Sequence, residues 1–323
     1  MLIDLCKEVT RRAQHVFINP ERLVAMANSA PEHLLAVPDW TSDPGMFTGH
    51  GEDVITWLMT YNAINFSYFP EPGQPRWYTR VSGVDVGQDD EALGVMAALG
   101  NALKNGVPFG DWRWVAQMDE YDLGPYLAPA AGAGKLPMME QRLESLLDLA
   151  GASKFFGSPA SVFTAARGSA ARFVEVLTDA APMWRDVRQY DELTLPFHKR
   201  AWLCAAMLQG RFQGDPIRRF RDPEVIPVFA DYRLPQVLRG AGVMVLTDSL
   251  AAHIDAGAAV EINSPTEVEL RAVTVDIAAQ LCELISQRIP GVTMMQIDHF
   301  LWRMAVRVQD QLPPFHRTRT TDY

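Results

Sequence analysis

Apolar residues recur along this chain at alternating spacings of three and four, the pattern of helices that bury one face. The clearest run opens at Ser264-Pro-Thr-Glu267, where Ser264 can cap, Pro265 suits the first turn and Glu267 completes a capping box. Val268, Ala272, Val275, Ala279 and Cys282 then share a face, and the run continues toward Ile289 before Pro290-Gly291 stops it. The same spacing predicts helices near 20–29, 52–66, 89–105, 138–150, 159–167, 169–180, 197–212, 233–240, 245–256 and 294–311. Period-two alternation is scarce. Trp77–Val81 and Ala259–Ile262 are the plausible short strands, the first inside a Pro- and Gly-punctuated loop from Pro70 to Gly87. The expectation is an all-α protein, an irregular helical array with at most one small β-hairpin.

The 323 residues are expected to form one large helical domain, 1–323, and 48% apolar content can build its core. If the chain divides into two interlocked halves, the hinge candidate is 123–137, with Pro125, Pro129 and the run Ala130-Ala-Gly-Ala-Gly134. A formal charge of -10, from 39 acidic and 29 basic residues, disfavours general affinity for phosphate backbones and points to a small substrate. Cys6, Cys204 and Cys282 are far apart in apolar helical surroundings, so free thiols in a reducing compartment are expected. Charges in Met1–Glu8 break any secretory leader pattern, and no run of about 18 apolar residues occurs, so the expected location is cytoplasmic, with no membrane partner.

There is no P-loop, dinucleotide fingerprint, His-Glu-x-x-His, Gly-x-Ser-x-Gly or Cys-x-x-Cys, so neither a metal nor another cofactor is expected. The dense chemistry lies in two acidic segments, Phe229-Ala-Asp-Tyr-Arg-Leu-Pro-Gln236 and Gln296-Ile-Asp-His-Phe-Leu-Trp-Arg303. They mark Asp231 and Asp298 as the candidate catalytic pair. Each alone also reads as a helix cap. Together, among Phe229, Tyr232, Arg233, His299 and Trp302, they suit stacking and hydrogen bonding to a planar ligand. The aromatics of Tyr61–Pro70 fall at helical spacing and read first as core. His50, flanked by Gly49 and Gly51, stands where the backbone has room to approach a ligand. Phe197-His-Lys-Arg200, entering an apolar helix, concentrates positive charge.

Four strings, Ala230–Gln236, Ala63–Phe69, Glu267-x-Glu-Leu-Arg271 and Asp298-x-x-Leu-Trp302, together resemble the queuosine salvage family of queuosine 5'-phosphate N-glycosylases, over about residues 45 to 305. The resemblance implies hydrolysis of the bond between ribose and queuine, freeing queuine for reuse in transfer RNA. It also implies a helical fold similar to that of certain DNA glycosylases. Gln296–Arg303 is itself similar to the helix start that bears the catalytic aspartate in helix-hairpin-helix DNA glycosylases. Pro290-Gly-Val292 lies too near Asp298 to build their hairpin, and no catalytic lysine is marked, so nucleic-acid binding is not implied.

On that resemblance Asp298 stabilises the developing positive charge on the sugar and orients or deprotonates water. Asp231 reads base N–H groups or the cationic aminomethyl substituent, Phe229 or Tyr232 stacks on the ring, and His50 closes the pocket. Lys199 and Arg233 are the candidates for the 5'-phosphate. Asp231, Asp298, Phe229 and His50 are expected to converge. Two other functions stay open at this point: a glycosylase acting on a flipped nucleic-acid base, and a noncatalytic helical scaffold.

Overall fold

The computed structural model describes residues 2–36 and 46–323. In chain order the helices and strands are α1 (Leu2–Arg12), β1 (Val16–Ile18), α2 (Pro20–Ser29), α3 (Glu52–Ala63), β2 (Thr79–Val81), β3 (Val84–Val86), α4 (Glu91–Lys104), α5 (Trp112–Val115), α6 (Glu120–Leu123) and α7 (Met139–Gly151). They continue as α8 (Pro159–Ala165), α9 (Ala170–Ala180), β4 (Val187–Tyr190), β5 (Leu193–Pro196), α10 (Lys199–Phe212), α11 (Arg233–Gly240), β6 (Met244–Leu246), α12 (Asp248–Asp255), α13 (Pro265–Ser286) and α14 (Met294–Arg307). The fold is mostly helical, as expected. Strands form only two-stranded antiparallel pairs among the described residues: β1 with β6, β2 with β3 and β4 with β5.

Two compact units emerge, each from separated stretches of chain. The first is Met1–Val37, Asp186–Lys199 and Glu224–Thr320; the second is Pro38–Arg185, Arg200–Pro223 and Thr321–Tyr323. Residues 123–137 lie within the second.

The first unit is built around α13. Its 22 residues bury side chains on every face, from Val268 and Leu270 to Leu281 and Ile285, as expected of a helix surrounded by protein. α1, α2, α11, α14, β1 and β4 pack against it. Ser264 caps it, its hydroxyl accepting the Glu267 N–H. The Glu267 carboxylate differs from the expected reciprocal cap: it accepts the Asn263 N–H at 3.1 Å and pairs with Arg188 Nε at 3.0 Å. Burial explains the difference, because a fully buried carboxylate needs a cation beside it. Glu269, also fully buried, accepts the N–H groups of Gln14, His15 and Val16 and the Tyr190 hydroxyl. That carboxylate ties the start of the chain to the central helix.

The β4–β5 hairpin was not legible as strand. Its inward positions are Arg188 and Tyr190, a cation and a phenol where the alternation rule looks for apolar residues. Ala259–Ile262, a strand candidate, makes only an isolated parallel bridge, Ala259 to Arg317. β2 and β3 supply the hairpin expected near Trp77–Val81.

In the second unit α3 is buried from Val54 through Ala63, and α4, α7 and α8 pack on it. Tyr61, Phe66, Tyr68 and Phe69 are all buried, so this aromatic segment is core. Two buried arginines hold it: Arg142 donates to the carbonyls of Ile64 and Phe66, and Arg200 to those of Ala63 and Met183. Cys6 and Cys204 are buried free thiols, and Cys282 is a half-buried one.

Candidate functional site

α14 starts with its own cap. Thr293 Oγ1 accepts the Gln296 N–H, and Gln296 Oε1 accepts the Thr293 N–H at 2.9 Å, a complete capping box. Asp298, one turn further in, is therefore not the cap that a lone aspartate at a helix start suggests. It is 9% exposed, and its Oδ1 accepts the Phe229 N–H at 2.8 Å. Burial pushes its carboxyl up to about 8; the Phe229 N–H opposes this, the charge of Asp231 adds to it, and that of Lys199 opposes it.

Asp231 does cap. Its Oδ1 accepts the Arg233 N–H at 2.8 Å and the Leu234 N–H at 3.4 Å, satisfying amides at the start of α11. Its other oxygen, Oδ2, lies 3.5 Å from Lys199 Nζ. Capping and site-building are thus not alternatives here, because one oxygen does each. Lys199, the first residue of α10, is only 6% exposed, and its ammonium lies against a carboxylate.

Around this pair the first unit arranges aromatics. The Tyr232 ring packs on Phe315, centroids 4.8 Å apart, and the Arg233 guanidinium carbon stands 5.9 and 5.8 Å from the two ring centres. His299 stacks on Trp302 at 5.8 Å, and burial, with Arg303 adding, pushes it down to about 4. His50 belongs to the second unit, exposed before Gly51, whose φ of 58° starts α3.

Sequence reading missed four contributors. His316 is buried and pushed down to about 4 by burial, with Asp231 opposing and Arg271 adding, so its imidazole is neutral near the Asp231 charge. Phe315 packs on Tyr232 from a segment that follows Pro313-Pro314 and shows no helical or strand period. Arg271 and Asp186, both fully buried, form a bidentate pair, Nη1 to Oδ1 at 2.8 Å and Nη2 to Oδ2 at 2.5 Å. Arg271 had been visible only as the end of the Glu-Leu-Arg string, and nothing marked Asp186.

Chemically, the cluster holds two carboxyls in contrasting surroundings. One is buried with its proton affinity raised; the other is clamped by helix amides and a cation. Such a difference lets the first give and take a proton, while the second is held in place by its amide and Lys199 partners. Among the described residues no group of three or more His, Cys, Asp or Glu could hold a metal ion.

Comparison with known proteins gives a consistent picture. The profile of the family described as queuosine salvage protein matches residues 46–323. A Sphaerobacter thermophilus protein named queuosine 5'-phosphate N-glycosylase/hydrolase is 29% identical over 324 aligned positions, covering 100% of this chain and 97% of that protein. Proteins of the same name align from Bos taurus, 25% identical over 85% of this chain and 83% of their protein, and from Dictyostelium discoideum, 31% identical over 52% and 53%.

Proposed function

The chain belongs to the queuosine salvage protein family, and we propose that it hydrolyses the N-glycosidic bond of queuosine 5'-monophosphate, releasing queuine and ribose 5-phosphate. The observation that carries this reading is the Asp298 carboxyl, buried on the Phe229 N–H and raised to about 8 beside the Asp231–Lys199 pair. At neutral pH it holds a proton. As the bond between C1' and the base nitrogen breaks, its electron pair goes to the base, and Asp298 supplies the proton that the departing base needs. The carboxylate left behind faces an electron-poor sugar, stabilises it, and takes a proton back from the water that adds to C1'.

Asp231 serves as the fixed charge, held by the Arg233 and Leu234 amides, and binds the base through its N–H groups or its cationic aminomethyl group. Phe229 contributes its amide to Asp298, and Tyr232, backed by Phe315, supplies the stacking face. Lys199 we assign to the carboxylates rather than to the phosphate, because its ammonium lies 3.5 Å from Asp231 and its charge bears on Asp298. The 5'-phosphate then falls to Arg233, a half-buried cation over the Tyr232 and Phe315 rings.

One set of measurements tests all of this: kcat/KM on the monophosphate and on the plain nucleoside for wild type, Asp298→Asn and Arg233→Ala. Asp298→Asn is expected to lose about 1000-fold on both substrates, the scale of a lone electrostatic or proton-transfer group. The wild-type rate should fall as pH rises through about 8, where Asp298 loses its proton. Arg233→Ala should cost the monophosphate more than the nucleoside. Absence of queuine release by wild type, or near-normal release by Asp298→Asn, would sink the reading.

A further inference from the structure

Residues 197–199, which deliver Lys199 to Asp231, are gripped at three successive positions by two buried residues, through two side chains and one main-chain carbonyl. The Arg271 guanidinium lies over the Phe197 ring, 4.1 Å from its centre. The Asp186 carbonyl accepts the His198 N–H at 2.9 Å, and its carboxylate Oδ2 accepts the Lys199 N–H at 3.1 Å. His198 sits at φ 45°, a left-handed conformation that a side chain bearing Cβ rarely takes unless its surroundings impose it. Arg271 meanwhile reaches the other arm of the site, since its Nε donates to the carbonyl of Ala230, the residue before Asp231, at 2.9 Å.

These bonds close a ring: Lys199 amide to Asp186, Asp186 to Arg271, Arg271 to Ala230, Asp231 onward to Lys199 Nζ. We propose that Arg271 and Asp186 are positioning residues for the reaction, fixing Lys199 against Asp231 from behind and touching no substrate. A planar guanidinium suits this work because its Nε and its two Nη groups point in directions set by the same rigid fork. Holding alone would not need charge: a buried ion pair is often no more stabilising than apolar residues of equal volume, whereas it does specify geometry. Burial pushes the Asp186 carboxyl up, but Arg271, Arg188 and the Lys199 amide outweigh it and hold it below the ordinary carboxylate range, so it remains a fixed acceptor.

The inference rests on Asp298, Asp231 and Lys199 being the site, and the test separates the two. Arg271→Lys keeps the charge but removes the fork. It is expected to lower kcat about 10- to 100-fold, the scale of a roughly 1 Å misplacement, with KM changed less than about 3-fold. Because the Lys199 charge lowers the Asp298 proton affinity, its displacement should also move the alkaline limb of the rate profile to higher pH. Glu267→Gln is the control. It removes a charge that pairs with Arg188 and Arg271 but leaves intact the two groups that hold residues 197–199 and Ala230, the Arg271 guanidinium and the Asp186 carboxylate. It should lower the unfolding midpoint while leaving kcat and the alkaline limb in place.

A folded Arg271→Lys with wild-type kcat and limb overturns the proposal, as does a Glu267→Gln that loses as much. If Arg271→Lys does not fold, Asp186→Asn, which keeps an acceptor for the Lys199 N–H, takes its place with the same expectations. Failure of both to fold makes the pair a folding element and also overturns the proposal. Should Asp298→Asn remain active, it is the site reading that falls, whatever Arg271→Lys does.

Discussion

Asp298 stabilises the folded protein most in its protonated form, the form from which the proposed reaction starts. A carboxyl with an ordinary value of 3.8 that moves to about 8 on folding binds its proton more tightly in the folded state. Its contribution is therefore complete below about pH 4 and is lost as pH rises toward 8. His299 and His316 act in the opposite sense: both drop from 6.5 to about 4, so they cost stability as pH falls through that lower window. Between pH 6.5 and 8 Asp298 is the larger effect. Asp298→Asn should gain about 1–2 kcal/mol over wild type across that interval, read as the difference between urea midpoints at several pH values. Parallel curves for the two proteins would show that Asp298 is not held protonated. At this scale the sequence was informative where several reactive side chains sit in one short string, as in Phe229–Arg233 and Asp298–Trp302. It was silent where a partner is a main-chain group or comes from a distant segment, as with the Phe229 amide, Asp186 and His316, because a contact between separated segments leaves no local pattern.

Among the elements, most helices with an apolar face and a cap could be read, because both signals are local. α2 and α11 begin and end where the periodicity placed them. α1 was missed: Cys6 and Val9 are fully buried and Leu2, Ile3 and Leu5 partly so, but no capping side chain in the sequence marks where this apolar stripe starts. β1, β4, β5 and β6 were missed because strands of three or four residues are too short to show a period. The Thr293–Gln296 capping box sets where α14 starts, and with it the position of Asp298 against the Phe229 amide. Thr293→Ala should lower stability by about 0.5–2 kcal/mol, the usual cost of losing a cap, and should lower kcat modestly through the shifted helix start. Unfolding and turnover of the one variant check both. An unchanged unfolding midpoint would mean that packing, not capping, fixes this end.

At the scale of the molecule, the family match begins at residue 46, yet α1, β1 and α2 belong to the first unit and pack on α13 or pair with β6. A chain lacking residues 1–18 loses the burial of Cys6, Val9 and Val16, at roughly 1.5–3 kcal/mol for each larger apolar side chain, and leaves Glu269 without three of its donors. Left with the Tyr190 hydroxyl as donor, that carboxylate adds about 1–3 kcal/mol or more. Together these approach the total stability of about 5–15 kcal/mol usual for a folded protein, so the truncated chain should not unfold cooperatively. A sharp urea transition near the wild-type midpoint would contradict this.

The knot that Glu269 ties has a consequence for how the protein is made. α1 leaves the ribosome well before α13, since the carboxylate that fastens the residues after it lies 255 positions downstream of Gln14. At about 5–20 residues per second, on the order of tens of seconds of translation separate the two. For that interval the first helix is synthesised without its partner, its apolar stripe open to chaperones and proteases. Codon-level pauses late in the message, far from the N-terminal helix, should therefore decide how much of this protein survives its own synthesis.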